Sequence, residues 1–452
     1  MNRLKSYPVL QKEFSISKVH TEKGDDMFIY NTATRMKARP NEATFEFAQR
    51  CRGNKSVEEI ISELSQMSGE SPGKIQKDLS PLMKKMVDNN IIYFAPSPLH
   101  PPRPEPYEVD LRRRLPSIML EITRHCNLQC KHCYSNSGTK REGELTYEEI
   151  KQLIDELAHT GVLNIVITGG EPLLHPHLFD ILAQARSKPL SCMVFTNGTL
   201  ITEEVVRQFK ELGIVSVAIS IDGATAETHN AFRGVKSFNR AVQAIKMLKE
   251  AGIPIRANVS VHKSISDEIV DVLRLLKKWG IDEHSIHPIS YTGRSEGSDF
   301  TITPEEYEDI LKQVKKYEIS CGEAKKRLPY GPELINCGIG LSSLFIKSNG
   351  DVSPCPAFPD EISIGNIREV TVAEIWNNSE FLNKVRRMSA SENDMCRECP
   401  HIKVCGGGCM ADIYRRTGEL GWGDPFECAY FTVYDNYDPY RYDKKFLSVE
   451  IR

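Results

Sequence analysis

These 452 residues contain no run of 18 or more apolar residues, so no segment is expected to span a membrane. The opening stretch, MNRLKSYPVLQKEFSIS, lacks the apolar centre of a signal peptide. Charge of one sign is scarce too: 58 Lys and Arg against 61 Asp and Glu leave a net charge of −3. Nothing in that balance calls for nucleic acid or an anionic membrane as partner. These absences predict a cytoplasmic protein. An apolar share of 40% and a charged share of 26% are ordinary for a globular chain, and the length allows two or three domains with cores of their own. Cysteine, by contrast, is plentiful at thirteen residues. In a reducing compartment that number argues for metal ligation rather than disulfides. Ten of the thirteen fall into two spaced groups; Cys51, Cys192 and Cys321 stand outside them.

Three regions follow one another. Residues 1–95 read as a small α/β unit: strand-like EFSISKVH and DMFIYN, a helix around 41–51, a second helix behind the capping box Ser56/Glu59, and a third opened by Ser71-Pro72. Residues 96–116 hold seven prolines and little apolar periodicity, which predicts an extended linker. From about 117 to 290, six β-rich runs (SIMLEIT, NIVIT, CMVFT, VSVAISI, IRANVSV, HSIHPI) alternate with helical segments. Gly161, Gly213, Gly252 and Gly280 sit where helices must end in a left-handed residue before the next strand. Alternation of this kind implies parallel pairing through right-handed crossovers. Six units predict a partial (β/α)6 barrel, with a doubly wound open sheet as the alternative. A further helix opens at Thr303-Pro304 with Glu306. Beyond it the chain looks loop-rich and in need of metal staples.

The first cysteine group, Cys126-x3-Cys130-x2-Cys133, offers three thiolates where a cubane iron–sulfur cluster needs four, so one iron would lack a protein ligand. A zinc knuckle is the competing reading, but His125 and His132 are poorly placed in sequence to close a tetrahedral site. The spacing resembles the signature of radical S-adenosylmethionine (radical SAM) enzymes. That resemblance implies catalysis at Cys126, Cys130 and Cys133, with the open iron chelating the amine and carboxylate of S-adenosylmethionine. The segment Thr168-Gly169-Gly170-Glu171-Pro172 after the second strand extends it. Gly169 and Gly170 permit close backbone approach, and Glu171 is expected to accept from the cofactor ammonium. At the third and fourth strand ends, Asn197, Ser220 and Asp222 offer polar groups suited to ribose hydroxyls or to the cofactor carboxylate, although Asx-turns and caps would account for them equally. Arg233 is a candidate for bidentate binding of that carboxylate, and Asn258 is a further candidate.

The second group runs Cys337, Cys355, Cys396-x2-Cys399-x5-Cys405-x3-Cys409-x18-Cys428. It resembles the SPASM domain of radical SAM peptide-modifying enzymes, which carries auxiliary [4Fe–4S] clusters. By that resemblance Cys337, Cys355 and Cys409 hold a first auxiliary cluster, and Cys396, Cys399, Cys405 and Cys428 a second. Three [4Fe–4S] clusters are thus implied. Seven thiols serve two cubanes, which leaves one iron open or completed by Cys321.

Taken together, the organisation predicts an N-terminal winged-helix-like α/β domain (1–95), a linker (96–116), a radical SAM partial barrel (117–320), a bridging segment (321–336), a SPASM domain (337–430) and a tail (431–452). The N-terminal unit resembles the PqqD-type element, in which a precursor peptide's leader adds as a strand to a sheet edge. The whole is similar to maturases of ribosomally made peptides, nearest the thioether-forming sactipeptide and ranthipeptide kind. That resemblance implies a precursor peptide and an electron donor such as flavodoxin or ferredoxin as partners. Carbon–carbon crosslinking, epimerisation and sulfatase-type maturation stay open with the same cofactors. A noncatalytic electron-transfer protein is the rival of another class, but it has no use for a three-cysteine motif beside GGE.

Overall fold

The computed structural model describes residues 3–103, 107–111, 113–234, 236–281, 283–289, 292–322 and 338–434. Its centre is a sheet in which the six predicted runs appear as β1 (Ser117–Glu121), β2 (Asn164–Thr168), β3 (Ser191–Thr196), β4 (Ser216–Ser220), β5 (Ile255–Val261) and β6 (Glu283–Pro288). They lie side by side in chain order, and β3, β4, β5 and β6 pair in parallel. A doubly wound sheet would reverse its order at a switch point; the unbroken order is that of a partial barrel. The inner strands β3 and β4 are buried almost throughout, as a parallel sheet covered on both faces requires, while β1, β2 and β5 alternate buried and half-buried positions and β6 buries none of its residues. The helix-ending glycines are as expected, Gly161 at φ 73° and Gly213 at φ 65°.

Two further strands were not legible in the sequence. Ser343–Ile346 (β7) pairs in parallel with β1, and Val352–Ser353 (β8) turns back on it. The buried Glu121 carboxylate accepts from the Ser348 amide at 3.1 Å and its hydroxyl at 2.8 Å, which pins that turn beside the end of β1. The expectation of a loop-rich C-terminal region is thereby corrected. Beyond β8 come helices Val372–Asn378, Glu380–Arg387, Met410–Thr417 and Pro425–Val433. The region has a core of its own, in which Phe358, Val385, Met410 and Trp422 pack with Cys355, Cys396 and Cys409. Widely spaced single apolar residues built this core, so no periodic run announced it.

The chain divides into two compact units, one of Met1–Pro116 with Gln152–Asn164 and Ala183–Ser191, the other of the remainder. In the first, helices Glu42–Arg50, Val57–Ser68 and Pro72–Asp88 stand where predicted, and the Ser56/Glu59 capping box is formed. Phe45, Phe47, Ile60, Ile61, Leu79 and Met83 make its core. The linker expectation needs correction. Tyr107–Asp110, within the proline-rich stretch, is an edge strand pairing in parallel with Phe14–Thr21, Ser17 opposite Tyr107. The four residues after Pro106 are free of proline, so they can donate to a ladder that the prolines before them cannot. The resulting sheet runs Lys37–Ala38, Gly24–Asn31, Phe14–Thr21, Tyr107–Asp110. No helix of the described residues is long and apolar enough to cross a membrane.

Candidate active site

The loop after β1 carries Cys126, Cys130 and Cys133, and its backbone is tied down at several points. Cys126 donates its amide to Gly138 O at 3.0 Å, and Cys133 to Cys130 O at 3.2 Å. The sulfurs are themselves acceptors: Leu128 N–H reaches Cys126 Sγ at 3.5 Å and Ser137 N–H reaches Cys133 Sγ at 3.4 Å. Burial pushes the Cys126 thiol up to about 12 and raises Cys130 as well. Burial opposes the Cys133 thiolate too, but donors from Ser135 and Ser137 and the charge of Arg294 outweigh it and lower that thiol. Three soft donors on one ordered loop, with amides aimed at sulfur, fit an iron–sulfur cluster bound through thiolates.

Arg294 was not singled out in the sequence, yet it holds this loop together. Its Nε donates to Cys130 O and its Nη1 to Ser137 O, both at 2.7 Å, and its amide to Cys133 O at 3.0 Å. Gly293 before it has φ 61°, and a Cβ there would lie 2.4 Å from Cys133 O. The available signal was position: Thr292-Gly293-Arg294 follows the sixth strand as the other polar corners follow theirs. Arg294→Ala removes two charge-assisted hydrogen bonds, each worth about 1.5–3 kcal/mol. Chains of that variant are expected to retain less iron at the first cysteine group after gel filtration, read by iron assay against the parent.

The Gly-Gly-Glu segment fits tightly against the same loop. Gly170 donates to Thr123 O and Glu171 to His125 O, each at 2.8 Å. A Cβ on Gly169 would stand 2.5 Å from Thr123 O, and one on Gly170 2.5 Å from Arg124 O and His125 O. What the glycines admit here is the neighbouring backbone. Glu171 is 0% exposed and its carboxylate accepts from Thr196 Oγ1 (2.7 Å), the Asn197 amide (2.8 Å) and the Leu173 amide (3.2 Å). It thus braces the third strand end. The Asn197 side chain is likewise occupied, accepting from Thr199 and donating to Asn127 Oδ1 at 2.9 Å.

Asp222 and Arg233 were expected to face a ligand; the structure joins them to each other. Arg233 Nε donates to Asp222 Oδ2, while Asp222 Oδ1 accepts from the Ser260 amide at 2.8 Å. His132 Nε2 lies 3.2 Å from Asp222 Oδ2, so a residue between two cluster cysteines contacts the fourth strand end. Burial opposes the Asp222 charge, but Arg233, His132 and the Ser260 amide outweigh it and hold the carboxyl at about 2. Burial lowers His132 to about 4, leaving the ring neutral at pH 7. Ser220 and Asn258 stand in register on adjacent strands, Ser220 half-buried at the end of β4.

Of the C-terminal thiols, Cys355, Cys396 and Cys409 share one core, and the Cys409 amide donates to Asp424 at 3.1 Å. Cys396, Cys399 and Cys428 lie within electrostatic reach of one another, and Cys405 closes the short helix Ile402–Cys405. Cys337 lies outside the described residues. Cys321 caps helix Pro304–Ser320. Just beyond Cys355, Asp360 receives both Nη atoms of Arg141 at 2.9 Å and Arg124 at 3.5 Å, which links this loop to the one bearing Cys126. A cavity of about 430 Å³ borders β6, with Tyr307, Glu318, Cys409 and Tyr430 in its wall.

Comparison with known proteins agrees with this layout. Residues 120–276 match the radical SAM superfamily model, and residues 337–400 match that of an iron–sulfur cluster-binding domain, SPASM. The chain is 34% identical to the AdoMet-dependent heme synthase of Methanosarcina barkeri over 69% of its own length and 96% of that protein. It is 29% identical to AlbA of Bacillus subtilis, an antilisterial bacteriocin subtilosin biosynthesis protein, over 84% and 87% respectively. Streptococcus suis SuiB bound to its precursor peptide SuiA shares the fold, with a TM-score of 0.66 at 15% identity, covering 92% of this chain and 99% of SuiB.

Proposed function

The chain belongs to the radical SAM superfamily and carries a SPASM domain, and from that premise we propose that it is a maturase forming cysteine thioethers in a ribosomally made peptide. The cofactors of such an enzyme are S-adenosylmethionine, a [4Fe–4S] cluster on Cys126, Cys130 and Cys133, and auxiliary iron–sulfur clusters on the C-terminal thiols; two auxiliary clusters are proposed. When bound, this set supplies a 5′-deoxyadenosyl radical that takes hydrogen from a peptide carbon and an acceptor for the electron released as sulfur joins it.

The observation that carries the peptide reading is the sheet edge of the first unit. Lys37–Ala38 covers Gly24–Asn31 only at Ile29 and Tyr30, so among the described residues Gly24–Phe28 has no strand on that side. An extended leader can complete such an edge by main-chain hydrogen bonds. Support also comes from the extent of the likenesses: AlbA matches 84% of the chain and SuiB 92%, against 69% for the heme synthase. Arg294 and the Asp222–Arg233 pair would hold the loops around the reacting carbon, and Ser220 remains a polar strand-end group for a cofactor, beside Asn258, whose Oδ1 already accepts from Ser285 at 2.9 Å. The cavity beside Cys409 is the route we assign to a peptide thiol toward the first auxiliary cluster, whose last iron is either open or completed by Cys321.

The test is anaerobic turnover with the peptide encoded beside this gene, followed by mass spectrometry. The expected product is lighter by two hydrogens per crosslink, with its thiols no longer alkylatable; a product with free thiols rejects the thioether. A second reading rests on the 34% identity to the heme synthase: the same core acting on a tetrapyrrole. It predicts that cofactor cleavage responds to a tetrapyrrole and ignores the peptide.

A further inference from the structure

Helix Met410–Thr417 follows Cys409 directly and carries two consecutive arginines in different surroundings. Arg416 pairs with Asp412 one turn back, Nε to Oδ2 at 2.9 Å, and lies 5.0 Å over the Phe426 ring. Arg415 has no comparable partner. Its Nε, Nη1 and Nη2 are all shut off from solvent, and among the described residues none meets a hydrogen-bond acceptor. The charged and thiol groups within its electrostatic reach are Asp412, Cys355, Cys409 and Glu296. Asp412 is already engaged by Arg416.

A buried guanidinium whose donors are all idle is costly, and such groups in folded proteins find a partner, protein or not. Here the neighbouring donors of metal-binding type are the two thiols assigned to the first auxiliary cluster. We propose that Arg415 is the counter-charge of that cluster, giving N–H donors and one positive charge to its sulfurs and so raising its reduction potential. The inference rests on the reading that Cys355 and Cys409 share a cluster. Arg415 acts through the cluster and does not touch the reacting carbon, so it is a positioning residue. A fixed cation beside cluster sulfur favours the form carrying the extra electron, because hydrogen bonds and net charge at the sulfurs set the potential. It also offsets the like-charge crowding of thiolates in a buried place.

The experiment uses the full chain with Cys126, Cys130 and Cys133 all changed to Ala, so that only auxiliary clusters contribute signal after anaerobic reconstitution. In that background Arg415→Gln is expected to shift the reduction equilibrium of one cluster at least tenfold toward the oxidised form. That is a fall of about 59 mV for one electron, read by titration with dithionite followed by electron paramagnetic resonance. Arg415→Lys keeps the charge and should stay near the parent potential. A full complement of iron and sulfide with an unmoved potential in Arg415→Gln overturns the proposal. Loss of one cluster's iron in Arg415→Gln but not in Arg415→Lys supports it, whereas equal loss in both marks a packing role and overturns it. Failure of the underlying ligand reading shows separately, as an unchanged iron content in Cys409→Ala.

Discussion

Replacing Cys130 with alanine is expected to lower 5′-deoxyadenosine formation by roughly a thousandfold or more, about 4 kcal/mol in barrier height, while the C-terminal thiols keep their iron. As proposed, Cys130 is the central ligand of a group with none to spare, since a cubane held by three thiolates cannot lose one and stay in place. Its surroundings do not offer a substitute. The thiol is buried, its sulfur lies 3.7 Å from the Arg233 carbonyl, and His132 is turned to Asp222. The measurement is nucleoside yield by chromatography under dithionite, with iron counted per chain. The control is Cys51→Ala: Cys51 is buried in the core of the first unit and burial raises its thiol, so it is inert and its loss should leave cleavage at the parent rate. Equal yields from Cys130→Ala and the parent would remove the radical reading altogether.

The parts of the molecule that were legible in the sequence are those fixed by local chemistry. Ser56/Glu59 and Thr303/Glu306 announce helix starts because each box satisfies its own orphan amides. Gly161 and Gly213 announce helix ends because a left-handed residue is needed there. The six core strands follow from short β-branched runs between those signals. Strand pairing at long range was not legible. Ser343–Ile346 is a short run like many others, and only the adjacency of β1, with Glu121 waiting for Ser348, makes it a strand. Tyr107–Asp110 was hidden by the prolines that precede it. The same division holds at the site. Cysteine spacing named the candidate ligands, since a cluster needs thiolates at fixed intervals along one loop. Asp360 could not be named, because the arginines it receives are far away in sequence, and Arg294 was marked only by its position after the sixth strand. Glu171, Asn197, Asp222 and Arg233 stand at the strand ends the sequence pointed to, and each has protein partners there that the sequence did not reveal.

That distinction leads to an expected loss of stability at the fourth strand end. Asp222 is 0% exposed and Arg233 8%, so Asp222→Asn leaves a guanidinium buried without its counter-charge. Stranding one partner of such a pair costs about 3–5 kcal/mol, a large part of what a domain has to lose. Thermal melts of the apo chain should show the lower midpoint. The pair also sets a dependence on pH. The Asp222 carboxyl sits at about 2 in the folded chain, below the value of about 3.9 for an unfolded aspartate. Its contribution is therefore complete above the unfolded value and is lost as pH falls toward 2, because the unfolded chain then binds the proton first. Acid melts of the parent should steepen in that window and those of Asp222→Asn should not. Removing the second charge as well, in Asp222→Asn with Arg233→Met, should recover part of the loss, since an apolar side chain strands nothing. A double variant no more stable than Asp222→Asn alone would mean that the cost lies in the Ser260 and His132 contacts of the aspartate, and the ion pair would lose its place as the brace of this corner.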